Sequence, residues 1–233
     1  MNYDSLLELV KKRRSIQRFK PDPIPDEYVD KIIEAARWAP SGGNSQPWEF
    51  VVVRKPELRE KLVKIIEESV SMTYRMELTR DPEMRFPVFR QPPRTPPPFA
   101  TVPVFIVVCG DPRTKNAYPV SANLTHADSI FASGLASAFL YMHLAAAALG
   151  LGSKWLTLSS HPLEQCLIKQ LLGIPLELEI YDTMLVGYPD FEPRPRLVRA
   201  RKEMVHYDQY DKTRLRTDQQ IKDFISAVYR AGV

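Results

Sequence analysis

The sequence predicts one domain of mixed α and β structure, α/β or α+β in class, and three observations carry that expectation. The chain has 233 residues, about the length of a single domain with an excursion or a tail. Hydrophobic residues make up 44% of it and charged residues 26%, enough apolar surface to bury a real core. Segments with apolar residues at helical spacing alternate with short β-branched and aromatic runs. No internal repeat and no shift in composition marks a second domain, so residues 1–233 are read as one unit.

The elements follow in order. Asp4 or Ser5 is placed to cap a first helix whose Leu6, Leu7 and Val10 share a face. That helix runs into Lys11, Lys12, Arg13 and Arg14. Pro21, Pro23 and Pro25 then hold the chain extended. Asp26 caps a second helix, with Val29, Ile32, Ile33 and Ala36 at helical spacing, which ends at Pro40. Ser41 to Ser45 is a loop by composition, and Trp48 to Val53 a strand. Glu57 to Val70 returns to helix, whereas 71–101 has no sustained period. Val102 to Val108 reads as a buried strand and Asp128 to Leu149 as the most apolar helix, ended by Gly150-Leu151-Gly152. Trp155 to Leu158 is a short strand, Leu163 to Leu172 a helix closed by Gly173 and Pro175, and Thr183 to Val186 a strand. From Pro189 the chain is proline- and arginine-rich, an extended arm before a last helix over Gln219 to Tyr229.

Composition narrows the function. The excess of 32 Lys plus Arg over 28 Asp plus Glu leaves a net charge of +4, too slight to suggest a nucleic-acid face. The basic stretches 11–20 and 194–202 are the only argument for one. Cys109 and Cys166 lack metal spacing and read as reduced core thiols of a cytoplasmic protein. His126, His143, His161 and His206 show no pairing for a metal, and His143 reads as a core histidine. The start, MNYDSLLELVKKRR, has no apolar signal core, and Leu135 to Leu151 is interrupted by Ser137 and His143. No membrane segment is expected.

Two constellations carry chemistry. Arg13-Arg14-Ser15-Ile16-Gln17-Arg18-Phe19 offers guanidinium forks and a hydroxyl to a phosphate, or is a solvated basic helix end. Ala39-Pro40-Ser41-Gly42-Gly43-Asn44-Ser45-Gln46-Pro47-Trp48 offers small residues and amides to a flat ring, or is an ordinary helix-to-strand connection.

Together, with PFATVPVFIVV, ALGLGSKW, GIP, VGYP and RARKEMVHYDQYDKTRLRTDQQI in order, they make the chain resemble the FMN-dependent nitroreductase family over nearly its whole length. The resemblance implies an α+β, nitroreductase-like fold with a central mixed β-sheet surrounded by helices and an extended C-terminal arm. It implies a homodimer with two FMN sites at the interface. Arg13, Arg14 and Ser15 fall at the phosphate and ribityl site; Gln17 stands where the family has Arg or Lys, and Arg18 is one candidate to replace it. Pro40, Ser41, Asn44 and Gln46 match the segment that covers the flavin from the partner subunit. Thr157 falls where relatives place a hydroxyl near flavin N5, with the Leu158 N–H beside it. Arg199 or Arg201 matches the late arginine that reaches the phosphate.

The implied activity is ping-pong transfer of electrons from NADH or NADPH through FMN to a small aromatic acceptor such as a nitroarene or quinone, with Thr157 the residue at the reacting ring. Reductive dehalogenation, flavin fragmentation, or a non-catalytic flavin-binding redox sensor are the alternatives. The 71–101 excursion, with Tyr74, Arg75, Met76, Phe86, Phe89, Arg90 and Phe99, is either a lid over the substrate or a dimer contact.

Overall fold

A computed structural model describes residues 2–193 and 196–230. Two compact units divide it, Met1–Phe191 and Glu192–Val233.

The first unit is built on four strands, β1 (Trp48–Val53), β2 (Val104–Gly110), β3 (Gly152–Leu156) and β4 (Glu179–Gly187), in the order β1-β2-β4-β3. All three pairings are antiparallel. The expectation of a mixed sheet is corrected accordingly: among the described residues the parallel element is a single bridge, Ser15 to Ser153, on the outer side of β3. Every residue of β2 is buried, as a continuous β-branched run covered on both faces requires.

Alternation along the strands separates two cores. Val104, Ile106, Val108, Met184 and Val186 pack against α2 (Asp26–Arg37) and α5 (Ala127–Ala148). Phe105, Val107, Cys109 and Leu185 pack against α3 (Pro56–Glu77) and α6 (Pro162–Leu172), joined by Ile16 and Phe19. A bulge between Val108 and Cys109 pairs Val108 with Asp182 and Cys109 with Ile180, leaving Tyr181 as the extra residue.

Several boundaries differ from the sequence reading. The cap of α1 (Tyr3–Lys12) is Asn2, whose Oδ1 accepts the Ser5 N–H at 2.9 Å; neither Asp4 nor Ser5 caps it. Asp26 is the first residue inside α2, after Pro25. Helix α3 continues to Glu77, so the excursion proper begins later. Strand β3 ends at Leu156, and Thr157–Ser160 is a 3₁₀ turn rather than strand, with the Ser160 hydroxyl on Thr157 O at 2.7 Å. A short helix, α4 (Val120–Thr125), precedes α5. Gly173 takes φ 68° at the end of α6, the left-handed stop its position predicts. Cys166 is exposed, so only Cys109 is a core thiol.

Helix α5 is long and apolar enough to cross a membrane by length and composition, yet half of it is buried within the protein. Phe139, Met142 and Ala146 are fully enclosed, while Leu140 and Tyr141 face outward.

The second unit contains the 3₁₀ turns Arg201–Glu203 and Lys212–Arg214 and the helix α7 (Asp218–Arg230), with no strand among its described residues. Arg194 and Pro195 of the second basic stretch lie outside the described residues.

Candidate active site

The basic motif leaves α1 as an extended segment laid along β3. Arg13 is the first non-helical residue, its N–H on Leu9 O at 3.1 Å. Ser15 pairs with Ser153, and the Ile16 N–H donates to Ser153 O at 2.9 Å. Further on, Phe19 bridges Pro189 and its carbonyl accepts the Thr101 hydroxyl at 2.6 Å. The close approach requires Gly152, where an added Cβ would lie 2.7 Å from Ile16 Cγ1. Arg13 and Arg14 are half-buried and Ser15 exposed.

Gln17 accepts a hydrogen bond from the Lys154 ammonium, Nζ to Oε1 2.6 Å. Arg18 does not join them; its guanidinium lies over the Phe191 ring, 5.2 Å from the centroid. Among the described residues neither Arg14 nor Lys154 has a carboxylate partner.

Thr157 and Leu158 stand at the other end of β3, at the head of the 3₁₀ turn, where leading N–H groups have no acceptor within the turn. Thr157 is exposed and Leu158 half-buried. At about 3.3 Å per residue, the strand separates Ser153 from Thr157 by about 13 Å.

Beneath this edge lies a buried polar and aromatic cluster. His143 Nδ1 and Ser153 Oγ are 2.6 Å apart, and the His143 ring stacks on Trp155 at 5.7 Å. Burial, with the Arg13 charge adding to it, pushes His143 down to about 3, so it stays neutral and is no base near neutral pH. Its Nε2 has no partner among the described residues. Trp155 Nε1 donates to Asp182 Oδ2 at 2.5 Å, while Asp182 Oδ1 has none. Burial pushes the Asp182 carboxyl up to about 6 against the hydrogen bond from Trp155. Asp182 lines a cavity of about 540 Å³ together with Lys115, Phe131, Ser160 and Tyr181.

The small-residue loop sits elsewhere. It precedes β1, at the opposite edge of the sheet from β3. Three strand spacings, about 14 Å, separate those edges. Gly43, Asn44 and Gln46 all have positive φ (58°, 51° and 44°), and the Gln46 N–H closes the turn on Ser41 Oγ at 3.0 Å. Ser41 packs 3.2 Å from where a Cβ on Gly134 would stand, in α5. Pro40, Asn44 and Gln46 are exposed. One chain therefore groups Arg13, Arg14, Ser15 and Gln17 with β3, and holds Pro40, Ser41, Asn44 and Gln46 away from them.

In the second unit, Arg199 is folded onto Glu203, with NH2 on Glu203 O at 2.9 Å and an ion pair to its carboxylate at 3.7 Å. Arg201 is exposed, and its guanidinium donates to the Tyr207 hydroxyl at 3.5 Å. It lines a cavity of about 640 Å³ with His206, Tyr207 and Arg214.

Of the 71–101 residues, Phe99 is buried in the core. Glu77 organises the turns beyond α3, taking the Phe86 N–H at 2.8 Å and Arg80 at 3.0 Å. Tyr74 and Arg75 line a cavity of about 810 Å³ with Pro92, Leu163 and Glu164. Lys154 and Asp182 escaped the sequence reading; a lysine and an aspartate inside otherwise apolar strands were the available signal.

The sequence profile of the Nitroreductase family matches residues 10–188. A protein of Archaeoglobus fulgidus, provisionally named NADH dehydrogenase/NAD(P)H nitroreductase, is 31% identical over 189 residues, covering 81% of this chain and 88% of that protein. Rat iodotyrosine deiodinase 1 is 43% identical over 74 residues, 32% of this chain and 26% of the deiodinase. The crystal structure of a nitroreductase with bound FMN from Bacteroides fragilis superposes with a TM-score of 0.62 at 22% identity, over 90% of this chain and all of that one.

Proposed function

The chain belongs to the nitroreductase family, and from that premise we propose that it is an FMN-dependent oxidoreductase drawing electrons from NADH or NADPH for a small electrophilic aromatic acceptor, a nitroarene or quinone. The observation that carries this reading is the cationic segment laid along β3. Arg14 and Lys154 stand there without carboxylate partners among the described residues, beside Arg13 and the Ser15 hydroxyl, and partly buried cations without counter-charges suit a phosphate dianion. When bound, FMN would supply the two-electron redox chemistry.

The residues of this chain bind and orient. Arg13, Arg14 and Ser15 hold the phosphate at one end of β3. The Thr157 hydroxyl and the Leu158 N–H donate to the ring at the other end. The resemblance also assigns a phosphate contact to Arg199 or Arg201, and the ion pair of Arg199 with Glu203 makes Arg201 the candidate. His143, kept neutral, contributes no proton.

Pro40, Ser41, Asn44 and Gln46 lie at the wrong edge of the sheet to close over the same site in one chain. The reading therefore places the loop of a second copy over it, in a homodimer. The outward Leu140 and Tyr141 of α5, an apolar helix face at the surface, support that pairing. Tyr74 and Arg75, lining a cavity with Leu163 just beyond the Thr157–Ser160 turn, favour a substrate-side role for 71–101.

NAD(P)H oxidation by the FMN-loaded protein, followed with a nitroarene or quinone, tests the reading. Turnover with either acceptor is expected; an FMN-loaded protein passing electrons to neither overturns it. The match to the deiodinase segment favours one second reading, reductive dehalogenation, for which iodide release from a halotyrosine is the test.

A further inference from the structure

At Gln17 the basic motif of this chain carries an uncharged side chain, and the ammonium of Lys154 in β3 reaches it. We propose that Lys154, held by the Gln17 side chain, is a phosphate-binding residue of the FMN site; the inference rests on the FMN reading and specifies which groups of this chain complete it.

Three observations converge. First, position fits: Ser153 is bridged to Ser15, so Lys154 is the next residue along the strand against which the basic motif lies. Second, the ammonium is turned toward the motif. Its Nζ donates to Gln17 Oε1 at 2.6 Å and lies 4.7 Å from the centroid of the buried Phe99 ring. Third, its charge is uncompensated. Among the described residues no carboxylate pairs with it, and a lysine removed from water without a counter-charge is costly.

An ammonium has three donors. Gln17 takes one and the Phe99 face another, which leaves a donor for an anion. Burial pushes Lys154 down to about 8, consistent with an ammonium waiting for a partner.

The alternative cation within the motif is committed elsewhere. Arg18 lies over Phe191, and its carbonyl accepts the Asp190 N–H at 3.1 Å. Gln17 makes chemical sense in this arrangement. An arginine there would face the Lys154 ammonium at hydrogen-bond distance and repel it, whereas a glutamine oxygen orients it. Gln17 is thus a positioning residue and Lys154 the binding one.

FMN titration, followed by quenching of flavin fluorescence, tests this on the full-length protein. Riboflavin, which lacks the phosphate, is titrated alongside. K154M is expected to weaken FMN binding about 10- to 100-fold, the range of one charge-assisted hydrogen bond. K154R should stay within a few-fold of the parent, and adding Q17R to K154M should restore much of the lost affinity by putting the cation back at the motif. Riboflavin binding should change little. FMN affinity of K154M within twofold of the parent, with circular dichroism unchanged, overturns the proposal. So does an equal loss for FMN and riboflavin, or a failure of both K154R and the Q17R rescue. A parent protein that binds no FMN at all would instead strike the FMN reading itself.

Discussion

Gly152→Ala is the sharpest structural perturbation of the site, because it touches none of the groups proposed to bind FMN. The added Cβ would lie 2.7 Å from Ile16 Cγ1 and 3.2 Å from Ile16 Cβ. Carbon atoms in comfortable contact stand about 3.5–4.0 Å apart, so the overlap is about 1 Å. Ile16 is only 4% exposed and its N–H is bonded to Ser153 O, so it cannot withdraw without opening the pairing that lays the basic motif on β3.

Two effects oppose each other. Overpacking of this kind costs about 1–3 kcal/mol, while alanine in place of glycine restricts the unfolded chain and returns about 0.4–1 kcal/mol. At the midpoints of these ranges the clash wins, for a net loss of about 1.3 kcal/mol. Urea unfolding should show a lower midpoint at unchanged slope, and FMN titration a weaker complex. Ile16→Ala alone should cost about 2–5 kcal/mol for the emptied core position. Combined with Gly152→Ala it should cost less than the sum, by about 0.5–3 kcal/mol, because alanine removes the 2.7 Å contact with Ile16 Cγ1. Parent-like stability of Gly152→Ala, or additivity within about 0.5 kcal/mol, would refute the reasoning.

Three further outcomes are expected. Lys154 has a folded-state value of about 8 against an ordinary 10.5, so between these the unfolded chain binds more protons. The stability of the FMN-free parent relative to K154M should therefore rise over that interval, measured by urea unfolding across it. Asp182 is the reverse case, an acid raised from 3.8 to about 6, so the folded state holds the extra proton in between. Relative to D182N, the parent should lose stability as pH climbs through that window, with no further change above it. Finally, R201A should weaken FMN binding about 10-fold while R199A stays within about twofold, since Arg199 already serves Glu203. Equal losses in the two would contradict the assignment.

The strands and long helices were legible because their periodicity is set by burial. The β2 run, the apolar spacing of α2 and α5, and the Gly173 stop each report a local requirement of the fold. What escaped depends on tertiary neighbours. Helix α3 runs on to Glu77 although the apolar period is lost after Val70, so periodicity does not reveal its end. Asn2 caps α1 in place of two plausible neighbours, a choice made by chain geometry. Antiparallel pairing throughout the sheet depends on strand order and on the connections between strands, which no single strand encodes.

The site divides in the same way. Arg13, Arg14, Ser15, Thr157 and the loop at Pro40–Gln46 were legible as motifs, and their grouping was not. The sheet order puts the loop across from the motif, a relation that appears only when all four strands are in place. Lys154 is the instructive case. In sequence it is one lysine in a strand, and its importance comes from Gln17, 137 positions away along the chain and 2.6 Å away in space.

The central claim, that this chain binds FMN and reduces it with a nicotinamide, is tested most directly by the visible spectrum of the purified protein. FMN is added, the excess removed, and the spectrum recorded under anaerobic conditions before and after NADH, then NADPH. The account predicts a retained flavin spectrum that bleaches promptly with at least one of the two. A protein that retains no flavin, or a bound flavin that neither nucleotide bleaches, would contradict it.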